Sequence, residues 1–236
     1  MKQVTIVIPT RNRYEKLLRT IESIPYLENT NIEIFFDGDV EGYNRLCESE
    51  LNMNSLKGTM LGINYSTKHI GSVACRNAVL QLKLFLSEKS ATDDGVLYAT
   101  DDVIFQTGSI EAAFEAFNHR FPDDDGVIGF MQVPGSFHKT GVALVGRSFL
   151  QRFPRKQLFH PGYFHFACQE IFDLAEKYGK FGQCEEAVIE HKSPGQFKAE
   201  MDRTHKDARI CRFEDIELMN KRQKAGLIWG DDNGKG

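Results

Sequence analysis

Short β-branched runs alternate with stretches of helical periodicity through the first half of the chain, and that rhythm leaves few folds open. Val4-Thr5-Ile6-Val7-Ile8 is too short and too branched for a helix and stops at Pro9, which marks a strand covered on both faces. From Tyr14 to Ile24 the apolar residues Leu17, Leu18, Ile21 and Ile24 recur at helical spacing, with Arg13, Lys16, Arg19 and Glu22 elsewhere. Ile32 to Phe36 repeats the strand signal and ends in the turn-forming Asp37-Gly38-Asp39, after which a helix is expected through Tyr43 to Leu51. A weaker strand near Met60 to Tyr65 precedes a helix from Val73 to about Lys89, capped by Ser72. Gly95 to Thr100 is a further strand, ending in Asp101-Asp102. Parallel neighbours need crossover connections, which are nearly always helical, so this order predicts an α/β fold with a mostly parallel central sheet and helices on both faces. Ligands of such sheets bind beyond the carboxyl ends of the strands. Pro9-Thr10-Arg11-Asn12, Asp37-Gly38-Asp39 and Thr100-Asp101-Asp102 are the segments delivered to that edge.

The second half is less regular. Ser109 to Arg120 reads as a helix, Val127 to Val133 and Val142 to Val145 as strands, Phe164 to Tyr178 as a helix, and Ala187 to Glu190 as a short strand ending at His191. Glu200 to Ala225 is a charged helical stretch. The expected organisation is one domain over residues 1–198, with a regular half (1–107) and a less regular half (108–198). A helical extension follows over 199–229, with a disordered tail at 230–236.

Composition narrows the partners. The 236 residues carry 29 Lys plus Arg against 33 Asp plus Glu, a formal charge of -4, too balanced for the basic footprint that a nucleic acid demands. No apolar run approaches the roughly 18 residues of a membrane span, and the opening residues run straight into a strand. Cys47, Cys75, Cys168, Cys184 and Cys211 are odd in number and widely spaced, which reads as reduced thiols and a cytoplasmic location.

Two neighbouring carboxylates at a strand end, Asp101 and Asp102, are electrostatically costly unless a cation sits beside them, and Mg²⁺ or Mn²⁺ fits that role with substrate phosphates completing its shell. Taken alone the pair is equally a solvated turn, as Asp93-Asp94 and Asp123-Asp124-Asp125 are read to be. There is no Gly-x-Gly-x-x-Gly and no Gly-x-x-x-x-Gly-Lys-[Ser/Thr], so neither a dinucleotide fingerprint nor a P-loop is present. His160, His165 and Cys168 lack a nearby fourth ligand for zinc. Phe159, Tyr163, Phe164 and Phe166 form an aromatic cluster whose ordinary fate is the core, with stacking on a sugar ring as the alternative.

The ordered set Val4 to Arg13, Glu33 to Asp39, Cys75-Arg76-Asn77-Ala78 and Leu97 to Asp102 resembles the family-2-like glycosyltransferases of the GT-A fold, over roughly residues 3 to 192. The resemblance implies that Pro9, Thr10, Arg11, Asp37, Arg76 and Asp101 hold the nucleotide of a nucleoside diphosphate sugar. Asp101 and Asp102 would hold Mn²⁺ or Mg²⁺, with His191 as a further ligand. It also likens Cys168 to Leu174 to a late acidic motif carrying the catalytic base, with Glu170 the first choice and Asp173 the second. The expected activity is an inverting, metal-dependent transfer of a hexosyl group, a UDP-sugar being the leading donor, to a glycan or other hydroxyl acceptor. Two rivals stay open: a non-catalytic nucleotide-sugar-binding module and a sugar-phosphate nucleotidyltransferase.

Overall fold

The computed structural model describes residues 3–25, 27–28, 30–49, 60–87, 95–133, 139–192 and 200–231. Four strands, β1 (Val4–Thr10), β2 (Thr30–Asp37), β3 (Met60–Ser66) and β4 (Gly95–Tyr98), pair in parallel in the spatial order β3-β2-β1-β4. Between them run α1 (Tyr14–Glu22), α2 (Val40–Glu48) and α3 (Ser72–Ser87). The helix ends expected at Leu51 and Lys89 lie outside the described residues.

Every residue of β1 and β2 is buried, as a strand sandwiched between helix layers must be. Because side chains alternate along a strand, Ile6, Ile8, Ile32 and Ile34 point to one face and meet Leu17 and Ile21 of α1. Val7, Phe35, Val96 and Tyr98 join a second core on the other face with Val73 and Val79 of α3.

The remaining elements are β5 (Val103–Phe105), α4 (Ser109–Arg120), β6 (Val127–Val133), β7 (Ala143–Gly146), α5 (Arg147–Leu150), a 3₁₀ turn (Pro154–Lys156), α6 (Cys168–Lys177), β8 (Phe181–His191) and α7 (Arg203–Lys224). They extend the sheet to the order β3-β2-β1-β4-β7-β6-β8-β5. β7 runs antiparallel to β4 and β6, β8 parallel to β6, and β5 antiparallel to β8, so the parallel character belongs mainly to the first half. The short strand expected at Ala187 to Glu190 is the end of the longer β8, and the helix expected from Phe164 begins only at Cys168.

That late start has a local cause. The backbone N–H groups of Phe164, His165 and Phe166 donate to the carboxylate of Asp215 at 2.8, 2.8 and 2.9 Å, which pins this stretch to α7 ahead of the helix. The stretch Glu200 to Ala225, expected as a helical extension, contains α7, whose N-cap Asp202 accepts from His205 N–H at 2.9 Å. The boundary expected at residue 198 lies outside the described residues, as do residues 232–236 of the expected tail. Asp231 is held against the end of α6 by Tyr178 Oη and Lys177 Nζ, both at 2.5 Å.

Asp215 is 2% exposed, so its three bonds are made without water to replace them. Asp215→Ala is expected to lower folding stability by about 3 kcal/mol, the order of cost for leaving buried N–H groups unpaired, measured by urea denaturation against the wild type.

Candidate functional site

A cavity of about 310 Å³ opens beyond the carboxyl ends of β1, β2 and β4, where an open parallel sheet is expected to hold its ligand. Pro9, Thr10, Arg11, Asp37, Arg76, Asp101, Asp102 and His191, eight residues singled out from the sequence, all line it. A larger cleft of about 490 Å³ lies on the other side of Arg13, which borders both spaces, but it takes in none of those eight.

The strand ends are built around carboxylates. Asn12 turns the chain after β1 at φ 54°, a left-handed conformation that asparagine tolerates, and its N–H donates to Asp39 Oδ2 at 2.8 Å. Thr10 Oγ1 donates to Asp101 Oδ2 at 2.8 Å. Asp37 accepts from the N–H groups of Ile70 and Gly71 at 2.6 and 3.0 Å, with His69 Nε2 3.2 Å away. Gly71 has φ +90°, and a Cβ there would meet the Phe164 carbonyl oxygen at 2.7 Å, so this turn accepts only glycine.

Asp101 and Asp102 are 4% and 5% exposed, and a guanidinium stands between them. Arg13 Nη1 donates to Asp101 Oδ1 at 3.0 Å and Asp102 Oδ2 at 3.3 Å, while Arg13 Nε donates to Asp202 Oδ2 at 2.8 Å. Lys16 Nζ reaches the same Asp202 oxygen at 2.7 Å. Burial pushes the Asp101 carboxyl up, against the pull of Arg13. Burial alone would raise Asp102 too, but the nearby imidazoles of His191 and His205 and the charge of Arg13 outweigh it and hold Asp102 well below the usual carboxylate range.

The donor set at Asp102 suits a divalent cation. His191 Nδ1 lies 3.4 Å from Gln132 Oε1 and Nε2 lies 3.2 Å from Asp102 Oδ1. If Nδ1 donates to Gln132, Nε2 turns a lone pair towards a carboxylate oxygen, and two acceptors that close call for a proton or a metal between them. His205 Nε2 comes from α7 to within 3.6 Å of Asp102 Oδ2. Among the described residues no three His, Cys, Asp or Glu side chains form a ready cation cage. Two protein ligands are enough where phosphates and waters fill the shell.

Arg76 is braced more firmly than a surface helix residue. Its Nη2 donates to the Ala99 carbonyl at 2.9 Å, and its guanidinium lies 5.8 Å from the Tyr98 ring and 5.4 Å from the Phe159 ring. Burial lowers its pKa. The Nε atom is buried without a hydrogen-bond partner.

Glu170 needs correction as the first choice for the base. It is 4% exposed and does not line the cavity. Its Oε1 accepts from Arg222 Nε at 2.7 Å and from Tyr163 Oη, and its Oε2 accepts from Arg222 Nη2 at 3.2 Å and Trp229 N–H at 2.5 Å. A carboxylate so occupied fastens α7 to α6. Asp173, the second choice, accepts from Gln169 Nε2 at 2.8 Å and also stands off the cavity lining.

The fold is similar to that of several solved structures. No family model matches the chain, and no curated protein sequence matches it. A crystal structure of S. aureus TarS 1-349 superposes with TM-score 0.59 at 15% identity over 94% of this chain and 73% of that one. The crystal structure of GalNAc-T7 with UDP, GalNAc and Mn²⁺ superposes with TM-score 0.57 at 12% identity over 81% of this chain and 44% of the other. The chain has the GT-A fold. A further S. aureus TarS structure agrees, with TM-score 0.54 at 14% identity, 89% of this chain matching 42% of that one. The present GT-A chain thus spans under half of the GalNAc-T7 and second TarS chains. Among its described residues no helix is long and apolar enough to cross a membrane, and all five cysteines are free.

Two outcomes test this site. Glu170→Ala should destabilise the fold by about 3–5 kcal/mol, because it strands the buried Arg222 guanidinium, and urea denaturation measures the loss. His165 lines the cavity with its Nδ1 3.0 Å from Ser72 Oγ, and burial, helped by the charge of Arg76, lowers its pKa to about 4. An unfolded histidine titrates near about 6.5, so between these values the unfolded chain binds the proton that the folded chain refuses. This contribution is complete above about pH 6.5 and is lost as pH falls towards 4, and His165→Asn should flatten that part of the stability profile.

Proposed function

We propose that this chain is a glycosyltransferase that moves a sugar from a nucleoside diphosphate sugar, with UDP as the leading nucleotide, to an acceptor hydroxyl. The observation that carries the reading is the convergence of Asp37, Arg76, Asp101, Asp102 and His191 on one cavity at the switch edge of a GT-A sheet. Fold alone would not suffice, since one fold hosts many chemistries.

Asp102 and His191 would hold the Mn²⁺ or Mg²⁺, with Asp101 kept in place by Thr10 and Arg13. When bound, the cation supplies Lewis-acid stabilisation of the charge gathering on the departing diphosphate. Arg76 lines the cavity and would offer its guanidinium charge to a phosphate, and Asp37 orders the turn at Ile70 and Gly71 beside the nucleotide. Transfer without a covalent glycosyl-enzyme is proposed because Asp37, Asp101 and Asp102, the carboxylates among the described cavity-lining residues, are all committed to other bonds. None is left to form a covalent glycosyl intermediate.

One observation favours a second reading, a nucleotide-sugar-binding module without turnover: Glu170 is sequestered by Arg222, Tyr163 and Trp229. Incubation with UDP-, GDP-, CDP- and dTDP-sugars, with and without Mn²⁺, separates the two. Release of nucleoside diphosphate that depends on Mn²⁺ is the expected result. Asp102→Asn should cut it by about a hundredfold or more, the scale of losing several kcal/mol of charge stabilisation. The variant should also unfold at a lower temperature, because the buried carboxylate pairs with Arg13, so far-UV circular dichroism at the assay temperature checks that it is folded. Binding without release supports the module, and no nucleotide binding at all overturns both readings.

A further inference from the structure

Helix α7 is more than an extension of the domain. Thr204, Ala208 and Arg212 line the cavity at intervals of four residues, and His205 and Arg209 repeat that interval one position along, so a single helix face looks into the site. Ala208 places only a methyl group beside the two arginines. The cavity-lining face carries no carboxylate. Arg212 lies 5.3 Å from the Phe166 ring, which steadies its guanidinium at the cavity rim.

The helix is fastened on either side of this face. Asp202 holds Arg13 and Lys16, Asp215 takes three backbone N–H groups of residues 164–166, and Arg222 pairs with Glu170. Arg76, 6% exposed, lines the cavity from α3, so an anion there would meet guanidinium groups from two separate elements. Arg11 also lines the cavity but is paired through Nη1 with Asp207 of α7 at 2.5 Å.

We infer that α7 supplies one wall of a diphosphate site, with Arg209 and Arg212 facing the phosphates together with Arg76 of α3. This rests on the nucleotide-sugar reading and adds to it two binding residues and the element that carries them. A guanidinium fork matches phosphate oxygens geometrically, whereas lysine offers only a point charge.

The test uses the full chain and isothermal titration with UDP, uridine and inorganic pyrophosphate, each with and without Mn²⁺. In the Arg209→Ala/Arg212→Ala variant, UDP and pyrophosphate should each bind at least tenfold more weakly, with uridine affinity unchanged and far-UV circular dichroism retained. Arg209→Lys/Arg212→Lys should recover part of the loss. UDP and pyrophosphate affinities equal to wild type in the alanine variant overturn the inference. So does an equal loss for uridine, which would mean a deformed cavity. Pyrophosphate binding that depends on the two arginines, in a chain that binds no nucleoside diphosphate, upholds the anion site while overturning the nucleotide-sugar reading.

Discussion

One buried guanidinium joins parts of the chain that would otherwise have no reason to stay together. Arg13 sits just after β1, and its nitrogens reach Asp101 and Asp102 after β4 and Asp202 at the start of α7. Burying a charge is costly, and the cost is offset only where geometry is good and the partners are also satisfied. Thr10 completes Asp101, Thr100 donates to Asp102, and Lys16 shares Asp202. With three carboxylates shared between Arg13 and Lys16, the knot ties the ends of β1 and β4 to the start of α7 in one network.

The first half of the fold was open to reading because each strand declares itself locally. β1 and β2 are unbroken β-branched or aromatic runs buried on both faces, and α1 shows its apolar stripe. The second half hid its strands. β5 is only three residues long, and β8 carries Glu185-Glu186 in its middle, where the pairing with β6 slips between Phe130 and Met131. An irregular register breaks the alternation on which strand recognition relies, so only the end of β8 was visible.

The site divides along the same line. Asp37, Asp101, Asp102 and His191 close apolar strands, and strand ends in a parallel sheet are where ligands bind, so their type and position sufficed. Arg13 looked like the polar side of an amphipathic helix, because its partner Asp202 stands 189 residues away. Glu170 looked like an acid at a helix start, and only the approach of Arg222, 52 residues later, reveals it as an anchor. Arg209 and Arg212 belong to a helix charged on all sides, where pattern cannot tell a solvated face from one turned to a ligand.

The fastenings of α7 are unequally shielded from water. Lys16 and Asp202 have side chains 29% and 28% exposed, whereas Arg222 and Glu170 are each 5% exposed. Counter-ions weaken exposed pairs far more than buried ones, over a Debye length of about 8 Å at physiological ionic strength. Rising salt therefore weakens the Lys16 contact at the start of the helix, beside Asp102, while the buried bonds of Asp215 and Glu170 hold the rest. The surrounding electrolyte would set how firmly the first turn of the helix walls the cavity.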